Sequence, residues 1–458
     1  MVTYRLPTHE GPTMAWQRPI VGPSSVIGEL LRGREGVWIG SNGTDTVRPN
    51  AVFRGMRLEP VQATGEDESR HYNGFSNSSI WPLYHYNVER PEFNPDWDEA
   101  NRTVNRRFAE AVVRTAEPGA TVWVHDYQLQ LVPAMVRERR RDVRIGYFLH
   151  IPFPAPEIFE QLPVRAEVLR GMLGADLVGF QRPLSAENFL RAVRALLGLT
   201  TNGDVVTTPD NRRVIVDHFP ISANVAEIER LAESALIQRG ARRIRADLGN
   251  PRTMLLSVDR LDYTEGIEER LRAYGDLLDS GTVRPEDTVL VQIATPTRER
   301  IGTYAGLRAR IDQTVGRLNA QHPRRGGSAV HYLVAQPTYD ELIAMYTVTD
   351  VMIATPLRDG MNLTAKEFVA SRIDNHGALV LSEFAGAAAE LRDGALVVNP
   401  NDRLALQNAI LEAIGMDAAD QERRMNALRR QVRHHDITAW AATFTQRLRR
   451  QPDPHISM

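Results

Sequence analysis

Several stretches of this sequence set a polar or charged side chain directly behind an apolar run, where a buried strand would end. VWVHDYQLQLVP puts Asp126 behind 122–124. A carboxylate at a strand end can accept hydrogen bonds from sugar hydroxyls, and it serves equally well as the N-cap of a following helix. IGYFLHIPFPAPEIF ends its run in His150, with Pro152 and Pro154 stiffening the exit. An imidazole there can donate to a sugar oxygen near a reacting carbon, the plainer alternative being a satisfied core histidine. SVDRLDYTEGIEERL places Arg260 where its guanidinium fork would match phosphate oxygens, or where it would form an ion pair with Asp259 or Asp262. IATPTRERIGTY offers Arg298 for a second anion, a weaker signal.

TPLRDGMNLTAKEFVA carries a turn with Asp359, Gly360 and Asn362, then a helix containing Glu367. Glycine lets a ligand approach the backbone, and a helix start offers free N–H groups to a diphosphate. Glu367, one to two turns in, suits a ribose diol. A simple capped turn is the alternative. LVLSEFAGAAAEL adds a small-residue turn at 385–388.

Elements of a particular kind must position these residues. Strand patterns fall at 121–124, 145–149, 177–180 and 214–218, and again at 254–258, 289–294, 330–334, 351–354, 379–381 and 395–398. Many are continuous apolar runs rather than alternating ones, as parallel strands covered on both faces require. Helical patterns lie between them, for example at 186–197, 268–278, 339–346 and 404–414. The alternation predicts doubly wound α/β sheets. A polar, Arg- and Ala-rich stretch near 220–245 divides two such series. The expected organisation is a Rossmann-like domain over 1–230, a second over 231–435, and a C-terminal helix over 436–458 that crosses back to the first. Ligands of open parallel sheets bind beyond the carboxyl ends of the strands, so two facing sheets would enclose the site in a cleft.

Composition narrows the class. The chain has 458 residues, 42% hydrophobic and 24% charged, enough for large cores without staples. It has no cysteine, which excludes disulfides and thiolate metal sites. Lys and Arg total 55 against 57 Asp and Glu, a net charge of -2 that suggests neither nucleic-acid nor membrane partners. The cluster Arg137, Arg139, Arg140 and Arg141 reads as a solvated helix end. No apolar run approaches the roughly 20 residues that span a bilayer. The start, MVTYRLPTHEGP, lacks a secretory profile, so the cytoplasm is the expected location.

The order of the motifs is more telling than any one of them. HYNGFSN, the WPLYHY segment, HDYQL, FLHIPFPAPEIF, SVDRLDYTEG, TPLRDGMNLTAKE and LSEFAGAAAEL together resemble the trehalose-6-phosphate synthase family from about residue 70 to 445. The resemblance implies a GT-B glycosyltransferase that retains anomeric configuration. Such an enzyme moves glucose from a nucleoside diphosphate sugar to the anomeric hydroxyl of glucose 6-phosphate, giving an α,α-1,1 linkage. It implies no metal and no cofactor, and homo-oligomers are common in the family. By position, Arg5, Tyr72, Trp81 and Arg298 match residues that bind the acceptor or its phosphate, and Asp126 the one that holds acceptor hydroxyls. His150 matches a residue near the transferred sugar and Arg260 a diphosphate-binding arginine. Asp359, with the backbone of Asn362 and Leu363, matches the donor-sugar site, and Glu367 the ribose site. Asp126, His150, Arg260 and Asp359 form the implied catalytic set.

The sequence also departs from the family. RPIVGPSSVIGELL carries Gly22 followed by Pro23 where a Gly-Gly pair is usual, and proline removes an N–H. WIGSNG leaves Ser41 where a Trp is expected. Glu265 of SVDRLDYTEG stands where the family has a diphosphate-neutralising Lys. Exchanging attraction for repulsion would cost donor binding ~2–6 kcal/mol, unless Glu265 turns to solvent or pairs with Arg260. Three readings follow: the family's own reaction, recruitment to another 1,1-type or pseudo-disaccharide coupling with a phosphorylated acceptor, or a silent regulatory subunit.

Overall fold

A computed structural model gives the structure, which describes residues 1–7, 35–41, 51–298 and 301–450. The chain separates into two units, Met1–Pro220 with Trp440–Met458, and Ile221–Ala439. Gly22 lies outside the described residues. Among those described, no helix is long and apolar enough to cross a membrane.

The first unit is built on a ten-stranded sheet in the order β3-β4-β2-β1-β5-β6-β7-β10-β9-β8. Its strands are β1 (Val2–Arg5), β2 (Gly36–Ser41), β3 (Val52–Phe53), β4 (Met56–Pro60), β5 (Thr121–His125), β6 (Arg144–Phe148), β7 (Leu177–Phe180), β8 (Thr201–Asn202), β9 (Val205–Thr207) and β10 (Arg213–His218). The run from β4 to β10 is parallel, and antiparallel pairs finish both edges. Chain order reverses between β1 and β5, the kind of switch point where a parallel sheet opens for ligands. The central strands are apolar on both faces because both are covered. On one face Phe444, from the helix Ile437–Arg449, lies so close that a Cβ on Gly146 or Gly179 would approach its ring to 2.7 Å. Trp440 in the same helix donates its indole N–H to the Phe219 carbonyl at 3.1 Å.

The cluster 137–141 is not simply a solvated end. Arg137 is buried, donates to Asp176 at 2.7 Å and to the Val143 carbonyl at 2.9 Å. It therefore ties the helix Val132–Arg139 to the sheet, because a buried guanidinium needs acceptors on all sides.

The second unit holds a six-stranded, wholly parallel sheet in the order β13-β12-β11-β14-β15-β16. The strands are β11 (Thr253–Arg260), β12 (Thr288–Thr295), β13 (Val330–Leu333), β14 (Val351–Ala354), β15 (Ala378–Ser382) and β16 (Leu396–Val398). Here the order reverses between β11 and β14. Beneath that switch point Arg270, wholly buried on the helix Ile267–Asp279, binds three elements at once. It donates to Asp259 Oδ2 at 2.5 Å, Gln292 Oε1 at 3.1 Å and Thr355 Oγ1 at 2.8 Å. The ends of β11, β12 and β14 are thus fixed relative to one another before any ligand arrives.

Candidate functional site

The first unit assembles its polar residues at the exits of β1, β5 and β6. Arg5, the last residue of β1, donates from Nη2 to Glu68 Oε1 at 2.9 Å and Oε2 at 2.8 Å. Its guanidinium lies 5.2 Å from the Tyr4 ring centre and 5.0 Å from that of Tyr72, and those two rings stack at 5.2 Å. Aromatic faces hold the cation in a fixed plane. Glu68 and Tyr72 belong to a 13-residue π-helical segment, Glu68–Ile80, a form that often marks a functional site. Trp81 follows it and packs on His85 and Tyr127, with ring centres 4.1 and 5.7 Å away. Tyr127 in turn donates to Asn77 at 2.8 Å.

Asp126 leaves β5 with φ 76° and ψ 169°, a conformation that is essentially glycine's. Such a residue costs on the order of 1–3 kcal/mol and persists where its surroundings over-determine it. The surroundings are visible: its amide donates to the Phe148 carbonyl at 2.8 Å, and the Tyr147 hydroxyl donates to its carbonyl at 3.0 Å. Its side chain does not cap the following turn; Oδ1 instead accepts the His150 amide at 3.3 Å. Of the two readings left open by the sequence, capping is eliminated. His150 Nε2 lies 3.1 Å from His125 Nδ1, so the two rings share one proton between them. Burial lowers the His150 pKa to about 3 and also depresses that of His125, which feels the second ring as well. Both imidazoles are therefore neutral near pH 7.

The second unit gathers its set at the β11/β14 switch point. Arg260 ends β11 and donates through Nε (3.0 Å) and Nη2 (2.8 Å) to a single oxygen, Oε1 of Glu265. Glu265 is buried, and the pairing open in the sequence is the one found. Burial pushes its carboxyl up to about 8, opposed by Arg260 and reinforced by Asp359, Asp259 and Asp262. Arg298, with φ 49°, leaves β12 and is buried against Asp262, to which it donates; its Nη1 also meets the Tyr304 hydroxyl at 3.1 Å. Arg298 therefore stands in the second unit beside Arg260, whose charge it opposes, while Arg5, Tyr72 and Trp81 belong to the first.

Asp359 lies in the loop after β14. Its Oδ1 accepts the Met361 amide at 3.3 Å and its Oδ2 the Asn362 side-chain amide at 3.2 Å, and burial raises its carboxyl. Asn362, with φ 75°, caps the helix Leu363–Ser371 by accepting the Ala365 amide at 3.1 Å. The amides of Leu363 and Thr364 open that helix, where backbone N–H groups lack intrahelical partners and favour an anion. Glu367 is buried in its second turn, 3.5 Å from the Tyr346 hydroxyl. Among the described residues, no group of three or more His, Asp or Glu is arranged to hold a metal ion.

Reasoning from the sequence missed Glu68, which touches Arg5 from 63 residues away, and did not foresee the contact of His150 with His125. No periodic or motif signal pointed to Glu68.

The profile of glycosyltransferase family 20 matches residues 7–450. The trehalose-6-phosphate synthase of Mycolicibacterium smegmatis is 48% identical over 445 residues, covering 95% of this chain and 88% of that protein. Among solved structures, an α,α-trehalose-phosphate synthase (UDP-forming) from Burkholderia xenovorans, in complex with glucose-6-phosphate, superposes with a TM-score of 0.89 at 30% identity, covering 98% of this chain and 99% of that one. A structure from E. coli bound with UDP-2-fluoro glucose gives a TM-score of 0.88 at 30% identity, with the same coverage.

Proposed function

The chain belongs to glycosyltransferase family 20, and on that premise we propose that it transfers glucose from a nucleoside diphosphate sugar to glucose 6-phosphate, with retention, to form α,α-1,1-linked trehalose 6-phosphate. Two Rossmann-like sheets of the GT-B class carry the two substrates: the first unit the acceptor, the second the donor. One observation carries the reading: the β11/β14 switch point brings Arg260, Asp359, the capped helix start at Asn362 and buried Glu367 to one place. That set provides a cation and free amides for a diphosphate, a carboxylate for a sugar, and a second carboxylate for a ribose diol.

In the reaction, the acceptor's anomeric hydroxyl bonds to C1 of the donor glucose on the face from which the diphosphate departs. The C1–O bond to phosphate breaks, and the hydroxyl proton passes to the departing phosphate oxygen. Charge grows on that oxygen, so a fixed guanidinium and helix amides stabilise the transition state more than the ground state. Arg5, set beside the stacked rings of Tyr4 and Tyr72, takes the acceptor phosphate. Asp126, held by its backbone, takes acceptor hydroxyls, and neutral His150 donates to the transferred sugar.

The test is a donor panel of UDP-, GDP- and ADP-glucose with glucose 6-phosphate, read by nucleoside diphosphate release and product mass. Release with one donor and a trehalose 6-phosphate mass are expected. Silence with every donor overturns the reading. The Arg260–Glu265 pair favours a second one, coupling of another phosphorylated acceptor through a 1,1-type linkage, and aminosugar phosphates added to the panel separate the two.

A further inference from the structure

The inference rests on the assignment of the donor to the second unit. A guanidinium meets a diphosphate best through an edge of two parallel N–H groups, and in this protein the Nε/Nη2 edge of Arg260 points at one carboxylate oxygen. That carboxylate has little freedom to leave. The turn Tyr263–Glu265 that carries it is pinned from both sides: Asp262 Oδ1 accepts the Thr264 amide and hydroxyl, each at 3.0 Å, and the Leu357 amide donates to the Thr264 carbonyl at 2.7 Å. Gly266 closes the turn at φ 68°, and a Cβ there would lie 2.3 Å from the Thr355 carbonyl oxygen. The turn is thereby wedged against the exit of β14.

The charges around Glu265 make a second anion difficult to admit. From β11 and its turn come Arg260, Asp259 and Asp262; from the loop after β14 comes Asp359. Arg298, beyond β12, faces Arg260, and Arg270 is spent on Asp259. A diphosphate placed on Arg260 would face ionised Glu265 at close range with water excluded, where like charges repel strongly.

We infer that Glu265 is a built-in counter-anion of Arg260, which a nucleoside diphosphate displaces from the guanidinium, and that the displaced carboxylate takes up one proton from solvent as the diphosphate binds. In that form its O–H becomes a hydrogen-bond donor to a phosphate oxygen, so an acid held neutral replaces repulsion with attraction. Burial pushes the carboxyl up to about 8 even beside Arg260, so Glu265 is the ionised counter-anion chiefly above that pH, and it is there that binding must take up the proton. Donor binding then weakens as pH rises, because more of the protein must first acquire the proton.

Titration calorimetry of UDP between pH 7.5 and 9.5 tests this, since a phosphate with its second pKa near about 6 has finished ionising there. The wild-type dissociation constant should rise with pH, by up to about tenfold per unit, as linkage to one proton requires. E265Q should bind with little dependence on pH and more tightly than wild type at the alkaline end. This control also removes any contribution from Lys366, whose ammonium burial lowers but which faces Glu390 and the Ile221 carbonyl instead. A flat wild-type profile, or an equal slope in E265Q, overturns the inference and leaves the functional reading standing. If E265Q does not fold, wild-type titrations at pH 8.5 in buffers of different ionisation enthalpy decide: uptake of a proton supports the inference and none overturns it. Failure of UDP, GDP and ADP to bind either protein at any pH sinks the donor assignment and the inference together.

Discussion

Each unit ends a parallel strand beside its switch point in an arginine, and each arginine is already held by a glutamate. Arg5 pairs with Glu68 and Arg260 with Glu265, both with a shortest N–O distance of 2.8 Å. Burial sets them apart. The side chains of Arg5 and Glu68 are 38% and 24% exposed, those of Arg260 and Glu265 only 23% and 6%. In the first unit water can replace either partner, so the pair is worth about 0–1 kcal/mol and a phosphate can take the arginine with small loss. In the second, the glutamate stripped of its partner has no water to turn to, and buried charge left alone is costly. One pairing yields to a ligand by exchange, and the other yields only if its charge also changes.

Three substitutions sharpen or break that contrast. Arg260→Ala should have the largest effect, lowering kcat/KM by about 10²–10³, the scale for removal of one group that stabilises developing charge. It should lower kcat itself, because the contact strengthens as the diphosphate departs. Steady-state kinetics with the accepted donor checks it, and a change confined to KM would mean that Arg260 does not meet the leaving group. Arg5→Ala should come next, raising KM for glucose 6-phosphate by about 10–100-fold with kcat changed much less, as the proposed grip on a phosphate that does not react requires. Loss of kcat instead would place Arg5 at the chemistry and break the comparison. Glu68→Gln should be smallest, lowering acceptor KM by no more than about fivefold, in keeping with about 0–1 kcal/mol for a solvent-accessible pair. A larger gain would show that the first pair obstructs its ligand as the second does.

Much of the second unit was legible because its strands are parallel and covered on both faces. Segments such as MLLSVDR and VLVQIA are mostly apolar runs, the first ending in Arg260 and the second stopping four residues short of Arg298, so strand limits and nearby site positions were read together. The start of the first unit was not legible in this way. β3 has two residues, β1 four, and neither shows a period. The segment Glu68–Ile80 carries Gly, Asn and Ser at intervals that fit neither a helix of 3.6 residues per turn nor a strand, and π-helical pairing, five residues apart, has no common pattern to announce it. Partners were harder still. Arg260 was evident, but whether Asp259, Asp262 or Glu265 met it depended on how three carboxylates were divided. Arg270 is buried against Asp259 and Arg298 against Asp262, and Glu265 meets Arg260. Arg137 misled for a similar reason: a basic run on a helix end reads as solvated until a distant acceptor such as Asp176 appears.

The backbone at Asp126 has an evolutionary corollary. Glycine would relax the main chain at that point, so Asp126→Gly should resist heat at least as well as the natural chain while surrendering the carboxylate we propose for the acceptor hydroxyls. Selection for thermal endurance alone would then favour that replacement, and selection for the proposed activity would oppose it.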